Sequence, residues 1–187
     1  MKDADQDQVT VGDVLAVLDD LAPPALAEEW DTAVGLEIGH PDWPVKRVLI
    51  TLDVTPKAVS FARESGCQLI ISHHPLLFGP LPSIRQDIPE QKLVADIIRQ
   101  NLSLIAAHTN LDAADGGVAD CLADVLGLSK ELRIAIGPYG RVAPLSVSRP
   151  VSRLIEDVRL SLGSLGCRVN SDEDRLVSRL AVFPGSF

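Results

Sequence analysis

Two segments carry side chains that could hold metal ions or move protons. In CQLIISHHPLLFGP, residues 67–80, an apolar run stops at His73 and His74, with Pro75 directly after. In AHTNLDAADGG a second apolar run ends at His108, and Asp112 follows four residues later. Neutral imidazole together with carboxylate suits zinc, iron, nickel or manganese. Side chains alternate along an extended strand, so two adjacent histidines serve one ion poorly and two neighbouring ions well, one ring each. Asp112 would then bridge or anchor the pair, and a two-metal site of this kind clamps water for hydrolysis. Pro75 biases His74 toward extended backbone and so fixes the direction of its ring. The plainer alternative is a solvated strand exit, with His108 orienting Asp112 or capping a loop. Asp53 reads as a strand-end turn residue and His40, in GHPDWP, as a surface loop residue.

The elements that must position these residues alternate in type. Helical spacing of Val11, Val14, Leu15, Leu18 and Leu21 predicts a helix from Thr10 that stops at Pro23–Pro24. The Gly- and Pro-rich stretch EEWDTAVGLEIGHPDWP reads as irregular. Strands are expected over 47–54, 68–72 and 102–108. Helices are expected over 55–66, with Thr55 as cap and Pro56 in the first turn, over 89–101 and over 116–128. Strand, helix, strand, helix implies right-handed crossovers and a parallel sheet covered by helices. Near-continuous apolar strands fit a sheet buried on both faces. Ligands gather at the carboxyl ends of such strands. Asp53, His73–His74 and His108 would all open there. Beyond residue 130 the expected order is a strand at RVAPLSVS, a helix from Pro150, and strands at CRVN and LVSRLAVF. The domain reading is a flexible leader over 1–9, a metal-binding α/β domain over 10–130 and the start of a second α/β half over 131–187.

Composition narrows the partners. The chain has 187 residues, 46% hydrophobic and 23% charged, which suits a folded globular protein. Net charge is −9, and the densest arginine group is only Arg149, Arg153 and Arg159. Without a basic patch, nucleic acid is not an expected partner. The three cysteines, Cys67, Cys121 and Cys167, form no CxxC and read as reduced thiols. The leader MKDADQDQVT is no signal peptide and no apolar run is long enough for a bilayer, so no membrane partner and a cytoplasmic location are expected. There is no dinucleotide fingerprint, phosphate-binding glycine loop or serine elbow.

The segments LDVTP, LIISHHPLLF and AHTNLDAADGGVADCLADVLGL, in this order, closely resemble the GTP cyclohydrolase 1 type 2 homologues, the NIF-three-like proteins with a dinuclear metal centre. EEWDTAVGLEIG, GPYGRVAPL and VSRLAVFPGSF add to the resemblance, which runs from Thr10 to the end. It implies a three-layer α/β/α fold with a mostly parallel sheet, two divalent metal ions and a homohexamer. By position, His73, His74 and Asp112 match metal ligands, and His108 matches an auxiliary or near-site histidine. The implied activity is metal-dependent hydrolysis of a purine nucleotide ring. Three residues separate Trp30–Asp31 from Gly35–Leu36 where the family pattern has two. The family completes its site with a histidine and a glutamate near the end of its second half. No histidine lies beyond His108 here, so that half of the fold is expected to be incomplete. The rival readings are a non-enzymatic metal-binding or scaffold protein and an inactive fragment. An aspartate–histidine–histidine phosphoesterase ranks below both, because Ser72 stands where its aspartate belongs.

Overall fold

The computed structural model describes residues 8–164, 166–172 and 174–185. Residues 1–7 of the expected leader lie outside these. Helix α1 (Val11–Leu21) begins in a capping box: the Thr10 hydroxyl accepts from the Asp13 amide and the Asp13 carboxylate accepts from the Thr10 amide. It stops where Pro23 and Pro24 could not continue it.

The chain divides into two compact units, one ending at Leu111 and one starting at Asp112. In the first, strands β1 (Gly35–Ile38), β2 (Val48–Thr51), β3 (Leu69–Ser72) and β4 (Ser103–Ala106) form one sheet in the order β1-β4-β3-β2. β2, β3 and β4 are parallel, with Thr51 beside Ser72 and Ser72 beside Ala106. Helices α2 (Pro56–Glu64) and α3 (Pro89–Arg99) make the crossovers. The Thr55 hydroxyl accepts from the Ala58 amide, and Pro56 occupies the first turn as expected.

Alternation along the buried strands sends side chains to both faces. Ile70 and Leu104 pack with Val59 and Ala62 of α2 and with Leu93 and Ile97 of α3. Leu69 and Ile105 pack with Val11, Val14 and Leu15 of α1 on the other face. This is the expected three-layer α/β/α arrangement around a mostly parallel sheet.

Two local expectations need correction. The stretch read as irregular contains β1, which adds to β4 in antiparallel fashion. Gly39 lets it approach: its φ is +117°, and a Cβ there would meet Ser103 Oγ at 2.3 Å. β2 is not buried on both faces either. It sits at the sheet edge, and Ile50 is 77% exposed.

A short helix α4 (Thr109–Ala113) follows β4. The second unit contains α5 (Val118–Val125), α6 (Val151–Leu162) and an antiparallel sheet of β5 (Ile134–Ile136), β6 (Gly140–Pro150) and β7 (Leu176–Val182), in the order β5-β6-β7. Ala123 and Leu128 pack with Ala143 and Val182, so α5 belongs with this sheet. The units therefore meet earlier than the boundary expected near residue 130. CRVN forms no strand, and Cys167–Asn170 lie exposed with no ladder partner among the described residues.

Candidate metal centre

The carboxyl ends of β2, β3 and β4 lie level, and the ladder runs on past the strands. The His73 amide donates to Thr51 O at 3.1 Å, the His74 amide to Leu52 O at 2.9 Å, and the Ala107 amide to Ser72 O at 2.9 Å. The histidine pair is therefore held by main-chain bonds to the end of β2, and Ser72 just before it is held to the chain leaving β4.

The structure brings His73, His74 and His108 together. Ring centroids are 5.0 Å apart for His73 and His74, 5.5 Å for His73 and His108, and 5.9 Å for His74 and His108. Each ring is held through Nδ1. For His73 the partner is Ala107 O at 2.9 Å; for His74 it is Asp53 Oδ1 at 2.7 Å; for His108 it is Asp31 Oδ2 at 2.9 Å. A carbonyl only accepts, so His73 Nδ1 carries the proton, and the two carboxylates ask the same of His74 and His108. In the neutral rings the lone pair is then on Nε2. His73 is tied to the chain leaving β4 and His74 to the chain leaving β2, yet their rings lie side by side rather than on opposite faces of the sheet.

A buried carboxylate, Asp31, and a half-buried one, Glu37, support this arrangement. Asp31 Oδ2 accepts from His108 Nδ1, from the Thr109 amide at 3.2 Å and from the Thr109 hydroxyl at 2.5 Å. Burial pushes the Asp31 carboxyl up, but the Thr109 bonds and His108 outweigh it and hold it below its usual value. Asp31 Oδ1 is buried and has no hydrogen-bond partner among the described residues. Glu37 of β1 accepts from the Leu76 amide at 3.1 Å and the Leu77 amide at 2.7 Å, which fixes the turn just after His74–Pro75. Burial pushes the Glu37 carboxyl up, and this outweighs the two amide bonds.

Sequence reasoning did not assign roles to Asp31 and Glu37, and it read Asp53 as a turn residue. Asp53 did carry a signal, its place at the end of the first parallel strand. Asp31 meets a histidine 77 positions away, and nothing local announces that.

The donor set fits borderline divalent ions, since a ring protonated at Nδ1 and held by an acceptor offers Nε2 to a metal. His73 and His74 are the residues that could each hold an ion, with His108 beside them. Among the described residues, no group of three or more His, Cys, Asp and Glu side chains closes on a single ion. Asp112 stands half-buried on α4, four residues past His108, and opens the second unit. His40 lies apart from the ring cluster's bonds, with its Nδ1 accepting from the Asp42 amide. Arg85, on the segment that follows the histidine pair, is clamped by both oxygens of Asp87 at 3.0 and 2.5 Å, so its charge is compensated. No helix among the described residues is long and apolar enough to cross a membrane.

Known proteins share this arrangement of segments. A GTP cyclohydrolase 1 type 2 homolog of Clostridium perfringens is 31% identical over 182 residues, which cover 94% of this chain and 69% of that protein. Its Bacillus subtilis namesake is 38% identical over 153 residues, covering 82% and 40%. Among solved structures, a Staphylococcus aureus hypothetical protein superposes with a TM-score of 0.88 at 27% identity, covering 96% of this chain and 73% of that one. A Bacillus cereus protein related to NIF3 shares the fold at a TM-score of 0.86 and 24% identity, covering 96% and 77%. The family model of Duf34/NIF3 (NGG1p interacting factor 3) matches residues 9–187. On a match of that extent, and with its relatives agreeing, the chain belongs to the Duf34/NIF3 family.

Proposed function

We propose that this chain supplies the paired-histidine side of a dinuclear divalent-metal centre in a hydrolase acting on a purine nucleotide ring. One observation carries the reading: three imidazoles cluster, each bonded through Nδ1, and Nε2 is then the atom that would coordinate a metal or accept a proton. His73 and His74 would each hold one ion of zinc, iron, nickel or manganese through Nε2. Asp112 enters as the bridging carboxylate from its place in the sequence, four residues beyond His108. Bound ions of this kind supply Lewis acidity that activates water near neutral pH. His108 would take up a proton at Nε2 while the buried Asp31 carboxylate keeps Nδ1 protonated and balances the positive ring. The purine part rests on the name the relatives carry, GTP cyclohydrolase 1 type 2 homolog. The family resemblance also carries a homohexamer.

A second reading is a metal-binding protein without catalysis. The Arg85–Asp87 clamp favours it, because a triphosphate substrate would want an uncompensated cation nearby. Elemental analysis of the purified chain, wild type against His74→Ala, tests the metal centre. Metal bound to the wild type and mostly lost from the variant is expected. Unchanged content would contradict the ligand assignment. Incubation of the metal-loaded chain with GTP separates the two readings: loss of the purine chromophore marks the hydrolase, and intact GTP with bound metal marks the second reading.

A further inference from the structure

The histidine cluster has two aromatic neighbours that the metal reading does not use. Trp30 and Phe78 are 60% and 57% exposed. Their rings are nearly parallel, with 15° between planes and centroids 6.3 Å apart. His108 meets both edge-on, at 6.2 Å from Trp30 and 5.5 Å from Phe78. Single exposed apolar side chains are common and need no explanation. Here, however, two large rings share an orientation and adjoin a histidine of the proposed centre.

Both rings are also mounted on fixed backbone. Trp30 precedes Asp31, whose buried carboxylate is gripped by His108 and Thr109. Phe78 follows Leu77, whose amide is tied to Glu37. Aromatic faces held in place beside polar reacting groups are what a flat heteroaromatic ring needs: stacking on its faces is tolerant of ring type, while its edge stays open to polar partners.

We propose that Trp30 and Phe78 form a stacking platform for a planar heteroaromatic ring, placing its edge toward His73, His74 and His108. This rests on the purine-ring reading above and names the residues that would select that ring. The platform binds through the ring system, so it recognises a nucleoside without phosphate and ignores phosphate without a base.

The test uses the full chain with Trp43→Phe, which leaves Trp30 as the one tryptophan of the two in the sequence. Titration with guanosine is expected to quench Trp30 fluorescence, and tripolyphosphate is not. Phe78→Ala should weaken guanosine binding about tenfold, the loss of one stacking contact, while Phe78→Tyr should preserve it. Calorimetry on Trp30→Leu should show a loss of similar size, with circular dichroism checking that each variant is folded. Absence of quenching by guanosine, or equal affinity in folded Phe78→Ala, overturns the platform. The metal content of His74→Ala is read separately. Metal lost there with guanosine binding unaffected by Phe78→Ala defeats the platform alone. Metal retained there with guanosine binding weakened by Phe78→Ala defeats the metal reading alone.

Discussion

Three imidazoles meet three different acceptors at the sheet edge: a main-chain carbonyl, an exposed carboxylate and a buried one. The differences matter. Asp53 is 58% exposed, so water competes for its bond to His74. Asp31 has a fully buried side chain and is braced by Thr109, so His108 is the most rigidly oriented ring. Glu37 orients no ring, yet it controls the chain that leaves His74. Glu37→Gln keeps the shape and replaces one acceptor oxygen with a donor that faces the Leu76 or Leu77 amide. Each amide bond to a carboxylate is charge-assisted, and a half-buried amide left without its acceptor costs about 1 kcal/mol. Urea denaturation should therefore show Glu37→Gln less stable by that amount. Unchanged stability would mean that the two amide bonds do not hold the turn.

At the scale of elements, what the sequence disclosed depended on how local each cause is. The parallel strands were legible because apolar runs ended abruptly at polar residues. Helix α2 was legible because Thr55 and Pro56 are adjacent. β1 was not, because four residues bracketed by Gly35 and Gly39 look like a loop until β4 pairs with them. The attachment of α5 to the second sheet was equally hidden, since it depends on apolar packing and ion pairs that form only once that sheet is complete. Asp120 of α5 accepts from Arg141 Nε at 2.9 Å and Nη2 at 3.1 Å, and from Arg133 Nη1 at 3.0 Å. The Arg141 bonds are the main reason its carboxyl falls from the usual 3.8 to about 2. A carboxylate favoured by folding stabilises above its unfolded pKa, and that stabilisation fades as pH falls through the folded pKa. The contribution should be complete above about pH 4 and drain away toward pH 2, by about 2 kcal/mol. In Asp120→Asn this part of the acid transition should flatten. An identical pH dependence of stability in the variant would show that the pairs do not tie α5 to β6.

Over the whole molecule, the fold class was legible because alternation of strand and helix leaves few topologies, and the structural neighbours bear that out. The candidate site was legible at its centre, His73, His74 and His108, because strand ends are where open α/β sheets gather ligands. Its supports were not. Asp31, Glu37, Trp30 and Phe78 come from loops and an edge strand whose placement depends on the completed sheet. The reading of the molecule as a metal protein turns on which nitrogen of each ring bears the proton. Long-range proton–nitrogen NMR of the neutral, metal-free chain reports this directly, with His40 as an internal comparison. His73, His74 and His108 should all appear as Nδ1-protonated tautomers, and their Nε2 signals should move when zinc is added. Protonation at Nε2 in His73 and His74, or Nε2 signals indifferent to zinc, would contradict it.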